Sequence, residues 1–182
     1  MKLLLHVCCA PCSVQCVEIL AEEGISPDLY WYNPNIHPFT EYRSRRDSLR
    51  GFAEAQKIPL IMEDEYGLRS FIKAVEPVTQ RCVFCYKLRL EKAAILAAEK
   101  GYDAFSTTLF ISPYQNHDLI QETGEDLAIR YGVKLFYRDF RPRFRQSLNQ
   151  AREAGYYMQK YCGCIYSEEE RYSASEAFGE SQ

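Results

Sequence analysis

The stretch that most constrains this chain is Leu3-Leu4-Leu5-His6-Val7, an apolar run that passes without a linker into the thiol-dense turn Cys8-Cys9-Ala10-Pro11-Cys12. A short run of this kind reads as a buried strand. A helical pattern follows, with Cys16, Ile19 and Leu20 at i, i+3 and i+4 and Gly24 as its stop, so Cys16 reads as core. Cysteines at the carboxyl end of a first strand lie where open α/β sheets place their chemistry, above the strand tips. The unpaired N–H groups of the next helix favour thiolate over thiol at that turn.

The same rhythm continues to the C-terminal region. Asp28 to Tyr32 reads as a second strand stopped by Asn33-Pro34-Asn35, and its exit loop carries His37, read either as a solvated loop residue or as one facing substrate. A charged helix spans Glu41 to Lys57, and a third strand runs from Ile58 to Met62. Residues 64–80 give a short helix with an irregular end, and Arg81 opens a long helix that Gly101 closes. A fourth strand covers Ala104 to Leu109. A polar loop then leads into a helix with Ile120, Thr123, Leu127 and Tyr131 on one face, and Leu135-Phe136-Tyr137 is a fifth strand. Strands alternating with helices imply a three-layer, Rossmann-like α/β fold with a mostly parallel sheet. At 182 residues, with no linker and no internal period, one domain is expected. Its last part, 138–182, reads as a helical and irregular extension that carries Cys162-Gly163-Cys164 and a polar tail, helical at first and frayed at its end.

Composition narrows the function. A hydrophobic fraction of 47% and an aromatic fraction of 14% exclude disorder, and no apolar stretch is long enough to span a bilayer. The start has no small-residue cleavage site, so a signal peptide is not expected and a reducing cytoplasm is the default compartment. There, eight cysteines read as metal ligands or redox thiols rather than structural disulfides. A net charge of −3 offers nucleic acid no global attraction, so any such binding needs a local basic patch. Arg43, Arg45 and Arg46, and beyond the fifth strand Arg138, Arg141, Arg143 and Arg145, are the candidates; each alone is equally well a solvated surface charge.

Cys82-x-x-Cys85 at a helix start turns two sulfurs toward one point. With Cys8 and Cys9 on the same sheet edge, four thiolates suffice for a [4Fe–4S] cluster or a structural zinc, and spacing does not choose between them. The surplus thiols Cys12, Cys162 and Cys164 favour redox chemistry. Cys162 and Cys164 can form a strained disulfide, ligate a second metal, or simply be buried thiols. Two other readings stay open. One is a thiol–disulfide oxidoreductase using Cys9-Ala10-Pro11-Cys12, against which stand four further cysteines outside that motif. The other is a zinc-stabilised RNA-binding module.

Leu5 to Cys12, Arg81 to Cys85, Thr107 to Tyr114 and Tyr161 to Ser167, taken together and in order, resemble the signature set of the cobalamin-independent epoxyqueuosine reductases. The resemblance implies reduction of epoxyqueuosine to queuosine at the wobble base of tRNA by an enzyme carrying a [4Fe–4S] cluster and a neighbouring iron. It also implies an external electron donor of ferredoxin or flavodoxin type. A wider similarity, from Cys82 through Thr108, is to tRNA-thiolating enzymes of the nucleotide α-hydrolase (PP-loop) fold, whose Ser-Gly-Gly phosphate loop is replaced here by the cysteine turn. ATP is therefore not expected, and the resemblance implies that cobalamin is not used. Tyr114, His117 and Asp118 are candidates for delivering a proton or contacting the base, and Tyr32, Tyr114 and Tyr137 for stacking on it.

Overall fold

Leu3, Leu4 and Leu5 have no exposed surface, and with His6 they form β1 (Leu3–His6), the middle strand of a computed structural model that describes residues 1–179. Burying an aliphatic side chain of this size stabilises by roughly 1.5–3 kcal/mol. Three in succession require cover on both faces, as in a parallel sheet. The chain then alternates through α1 (Ala10–Glu22), β2 (Asp28–Trp31), α2 (Phe39–Gln56), β3 (Leu60–Met62), α3 (Leu68–Val75), α4 (Arg81–Glu99), β4 (Ala104–Thr107), α5 (His117–Tyr131), β5 (Lys134–Leu135), α6 (Phe144–Glu153) and α7 (Ile165–Gly179). Short 3-10 turns lie at Thr108–Ile111 and Arg141–Arg143.

All four strand pairings are parallel, in the order β3-β2-β1-β4-β5. This is the doubly wound order, and the direction of winding reverses between β1 and β4, where such sheets open a crevice at their carboxyl ends. Right-handed crossovers put α1 and α2 on one face and α4 and α5 on the other. α4 packs on β1, β4 and α5, while α1 packs on α2 and α6. The three-layer α/β arrangement read from the sequence is the one observed.

The later strands are shorter than expected: β2 stops at Trp31, and β4 stops at Thr107, where Thr108–Ile111 turns into a 3-10 helix whose first turn is capped by the Thr107 hydroxyl. β3 begins at Leu60 because Pro59 lacks an N–H, although its carbonyl accepts from the Leu29 amide at 2.8 Å. β5 ends at Leu135, and the Phe136 amide makes one more bond to the Phe105 carbonyl, at 2.8 Å, before the chain departs. In the extension, the buried Ser147 of α6 ties it to α1: its hydroxyl donates to the Pro11 carbonyl at 2.6 Å and accepts from the Gln15 amide at 3.1 Å. The expected frayed end at 180–182 lies outside the described residues. No helix among the described residues is long and apolar enough to cross a membrane.

Candidate metal centre and cavity

The tips of β2, β1 and β4 are clamped by one side chain. His6 is fully buried, with Nδ1 3.0 Å from Thr107 Oγ1 and Nε2 3.2 Å from the Tyr32 carbonyl. Burial, aided by the nearby Arg89 charge, lowers its pKa to about 4. The ring is therefore neutral, donating to the carbonyl and accepting from the hydroxyl. One residue beyond Val7, the Cys8 amide donates to Thr108 Oγ1 at 3.4 Å, which joins the turn after β1 to the turn after β4. Cys9 caps α1, its sulfur accepting from the Cys12 amide at 3.4 Å, and Pro11 sits in the first turn, where its missing N–H costs nothing.

This geometry gathers the sulfurs of Cys8, Cys9 and Cys12 within 4.8 Å of one another, all three buried. Hydrogen bonds from Cys12 and Cys9 hold Cys8 well below the ordinary thiol range. Burial pushes Cys9 up, and the bond to Cys8 pushes Cys12 up. The trio thus carries one negative charge readily and the rest only with a compensating cation. Two buried guanidinium groups lie beside it. Burial opposes the charge of Arg45, but Cys9 and Glu41 outweigh it; for Arg89, Cys85 and Cys8 do the same.

The Arg89 charge acts on Cys8 and also on a second group of thiols. Cys82 and Cys85 occupy the first turn of α4, and Cys85 shares a small apolar cluster with Cys164, Phe71 and Val75. Burial raises Cys82 and Cys164 and pushes Cys85 up to about 12. Cys162 is exposed, its sulfur 2.9 Å from Ser167 Oγ. All eight cysteines are free thiols here. The turn that carries Cys162 and Cys164 is fixed by Arg45, which donates to the Tyr161 carbonyl at 2.8 Å and the Cys162 carbonyl at 3.1 Å while paired with Glu41 at 2.6 Å. Gly163 between them has φ +121°, and a Cβ there would stand 3.0 Å from Ile36 and 3.1 Å from the Arg45 guanidinium. Only glycine suits that position.

Above the trio opens a cavity of about 540 Å³. Cys8 and Cys12, Thr108, Tyr114, Gln115, Gln159, Lys160, Cys162 and Arg171 are among its walls. The structure therefore brings Cys12 together with Cys8 and Cys9, and sets Cys82 and Cys85 with Cys162 and Cys164.

The family model described as Epoxyqueuosine reductase QueH matches residues 3–170. The chain belongs to this family. Curated members named epoxyqueuosine reductase QueH include one from Dehalococcoides mccartyi, 42% identical over 94% of this chain and 94% of its own length. Those from Acinetobacter baylyi (36% identical, covering 91% and 80%) and Thermotoga maritima (33%, covering 92% and 91%) are more distant. Among solved structures, one described as a predicted subunit of tRNA methyltransferase from Methanocaldococcus jannaschii aligns with TM-score 0.49 at 12% identity, over 82% of this chain and 76% of its own. That likeness is too loose to add to the architecture.

The three clustered sulfurs could hold a metal ion. Clustered buried sulfurs are soft ligands, and two buried cations suit a centre of net negative charge. The other sequence candidates are placed unevenly. Tyr114 is 84% exposed at the cavity wall, edge-on to Phe144. His117 is buried with Nε2 3.2 Å from the Ser112 carbonyl, so it buttresses the loop that forms the wall. Asp118 is exposed in the first turn of α5, outside the cavity walls. Arg45 is corrected from a surface phosphate contact to a buried structural cation, because α2 turns it inward onto Glu41 and two carbonyls. Tyr32 is likewise corrected: it is buried against Tyr30 and cannot stack on an incoming base. His37 is neither solvated nor in the cavity wall, being buried against Tyr66 and Phe71. Arg46, Arg138, Arg141 and Arg143 each pair with a carboxylate, whereas Arg43 is exposed without an ion pair among the described residues.

Two residues of this site escaped the sequence reading. Arg89 stands four residues after Cys85 on the same helix face as Tyr86 and Leu90, so a charge inside a buried stripe was the available signal. Gln159 had none.

Proposed function

We propose that this chain is a tRNA epoxyqueuosine reductase, which removes the epoxide oxygen of epoxyqueuosine at the wobble base and leaves queuosine, the last step of that modification. The observation that carries this reading is the trio of buried sulfurs at the base of a cavity at the sheet's switch point, in a chain of this family. The reaction breaks both C–O bonds of the epoxide, forms a C=C bond and releases water, consuming two electrons and two protons. Cys8, Cys9, Cys82 and Cys85 are the proposed ligands of a [4Fe–4S] cluster, and Cys12, Cys162 and Cys164 are proposed for a second iron or a redox disulfide beside it. When bound, such a centre supplies electrons one at a time and an acidic metal site for oxygen.

The chain's own residues do the rest. The sheet-edge turn holds three thiols in place without substrate, and Arg45 and Arg89 supply the compensating charge. Tyr114 offers a ring face for a base, and of the three proton-donor candidates it is the one in the cavity wall. Lys160 and Arg171 line the cavity without ion-pair partners among the described residues and, with Arg43, are the proposed phosphate contacts. The electrons come from an external donor of ferredoxin or flavodoxin type. The test is nucleoside analysis of tRNA incubated anaerobically with iron-reconstituted protein and a reductant. Conversion of epoxyqueuosine to queuosine is expected; iron-loaded, reduced protein that leaves epoxyqueuosine intact overturns the reading.

A further inference from the structure

Gln159 lies between α6 and α7 in the wall of the same cavity. Its Nε2 is 3.0 Å from Cys9 Sγ and 3.4 Å from Cys12 Sγ. The two ends of the amide are not interchangeable there. Metal-ligating sulfur only accepts hydrogen bonds, so the NH2 belongs on the sulfurs and the oxygen on the opposite side. That oxygen, Oε1, is buried and has no partner among the described residues. Its neutral donors therefore bridge two of the three clustered sulfurs, and an oriented acceptor is left unused. Hydrogen bonds to ligand sulfur withdraw charge from it and favour the more negative, reduced form of the centre it holds.

We propose that Gln159 is a positioning residue for the thiol centre: its N–H bonds to Cys9 and Cys12 raise the centre's reduction potential. The inference rests on the iron–sulfur reading. Gln159→Leu removes donor and acceptor; Gln159→Glu removes the donors, keeps an acceptor and adds negative charge.

The experiment is a redox titration of the anaerobically reconstituted full chain, followed by its visible absorption, with iron content measured on the same samples. At the poise where the wild-type centre is half reduced, both variants should show a reduced-to-oxidised ratio about tenfold lower or less, equivalent to a fall of about 59 mV for a one-electron couple, with the larger shift in Gln159→Glu. Ratios within about twofold of wild type in both variants at full iron content overturn the proposal. If Gln159→Leu fails to fold, the ratio in Gln159→Glu decides. A wild-type chain that takes up no iron overturns the iron–sulfur reading itself, which separates that failure from one of Gln159 alone.

Discussion

Cys8, Cys9 and Cys12 form one thiol group, and Cys82, Cys85, Cys162 and Cys164 form another, with the buried Arg89 acting on both. The first is built into the framework. Its residues span a single turn between the central strand and α1 and are oriented by the sheet edge and that helix, with Gln159 of the extension bonded to Cys9 and Cys12 from above. The second is assembled from distant segments, two thiols from the start of α4 and two from a turn secured by Arg45, Gly163, Tyr161 and the His37 amide. The difference separates a preorganised ligand set from one that depends on docking of the C-terminal extension.

The sharpest way to break this comparison is to remove a member of each group. Cys9→Ala should abolish iron binding and turnover together, a loss of roughly three orders of magnitude or more, because it deletes both a sulfur of the trio and the cap of α1. Iron analysis and nucleoside conversion check it. Cys164→Ala should leave the trio's geometry intact, so that residual metal binding persists.

Arg45→Ala should come next. It leaves Glu41 buried without its partner and frees two carbonyls, at a cost of roughly 3–5 kcal/mol. Urea unfolding measures that loss. Timed alkylation sharpens the point: Cys162 and Cys164 should react faster in this variant, and Cys8, Cys9 and Cys12 no faster than in wild type.

Acid should loosen the framework through His6. Its native pKa of about 4 is below the ordinary value of 6.5, so the unfolded chain binds the proton more tightly. The contribution is complete above pH 6.5 and fades as the pH falls toward about 4, a loss on the order of 3 kcal/mol. His37, lowered by burial to about 4, acts in the same direction beside the second group. Urea midpoints across that range should fall with pH, and less steeply in His6→Gln, whose amide can mimic the neutral ring.

The smallest effects belong to the arginines beyond β5. Arg138→Ala, Arg141→Ala and Arg143→Ala each break an exposed, solvent-screened ion pair and should leave stability nearly unchanged. Lys160→Ala and Arg171→Ala should each reduce the salt dependence of tRNA binding by about one unit of log–log slope. Equal effects from both sets would erase the distinction drawn between the cavity rim and the outer surface.

The fold was legible because its strongest signals are local. Three leucines before a cysteine turn and alternating helix and strand periods imply a parallel sheet with its chemistry at the strand tips. The second group's segments were also legible, as Cys-x-x-Cys and Cys-Gly-Cys. Sequence spacing alone did not show which thiols share a neighbourhood: Cys12 joins Cys8 and Cys9 because its amide bonds the Cys9 sulfur in the first turn of α1. Nor did composition distinguish Arg45 from Arg46. One position along α2 turns the first into the core and the second toward the Asp47 and Asp64 carboxylates at the surface. Gln159 could not be found by motif, since its role comes from an irregular segment folding back over α1.

Iron and acid-labile sulfide per chain, measured on anaerobically reconstituted wild type and on Cys9→Ala, bear most directly on the preorganised trio. About four of each in the wild type and none in the variant is the expected pair of values. A wild type without iron, or a variant with the full complement, contradicts it.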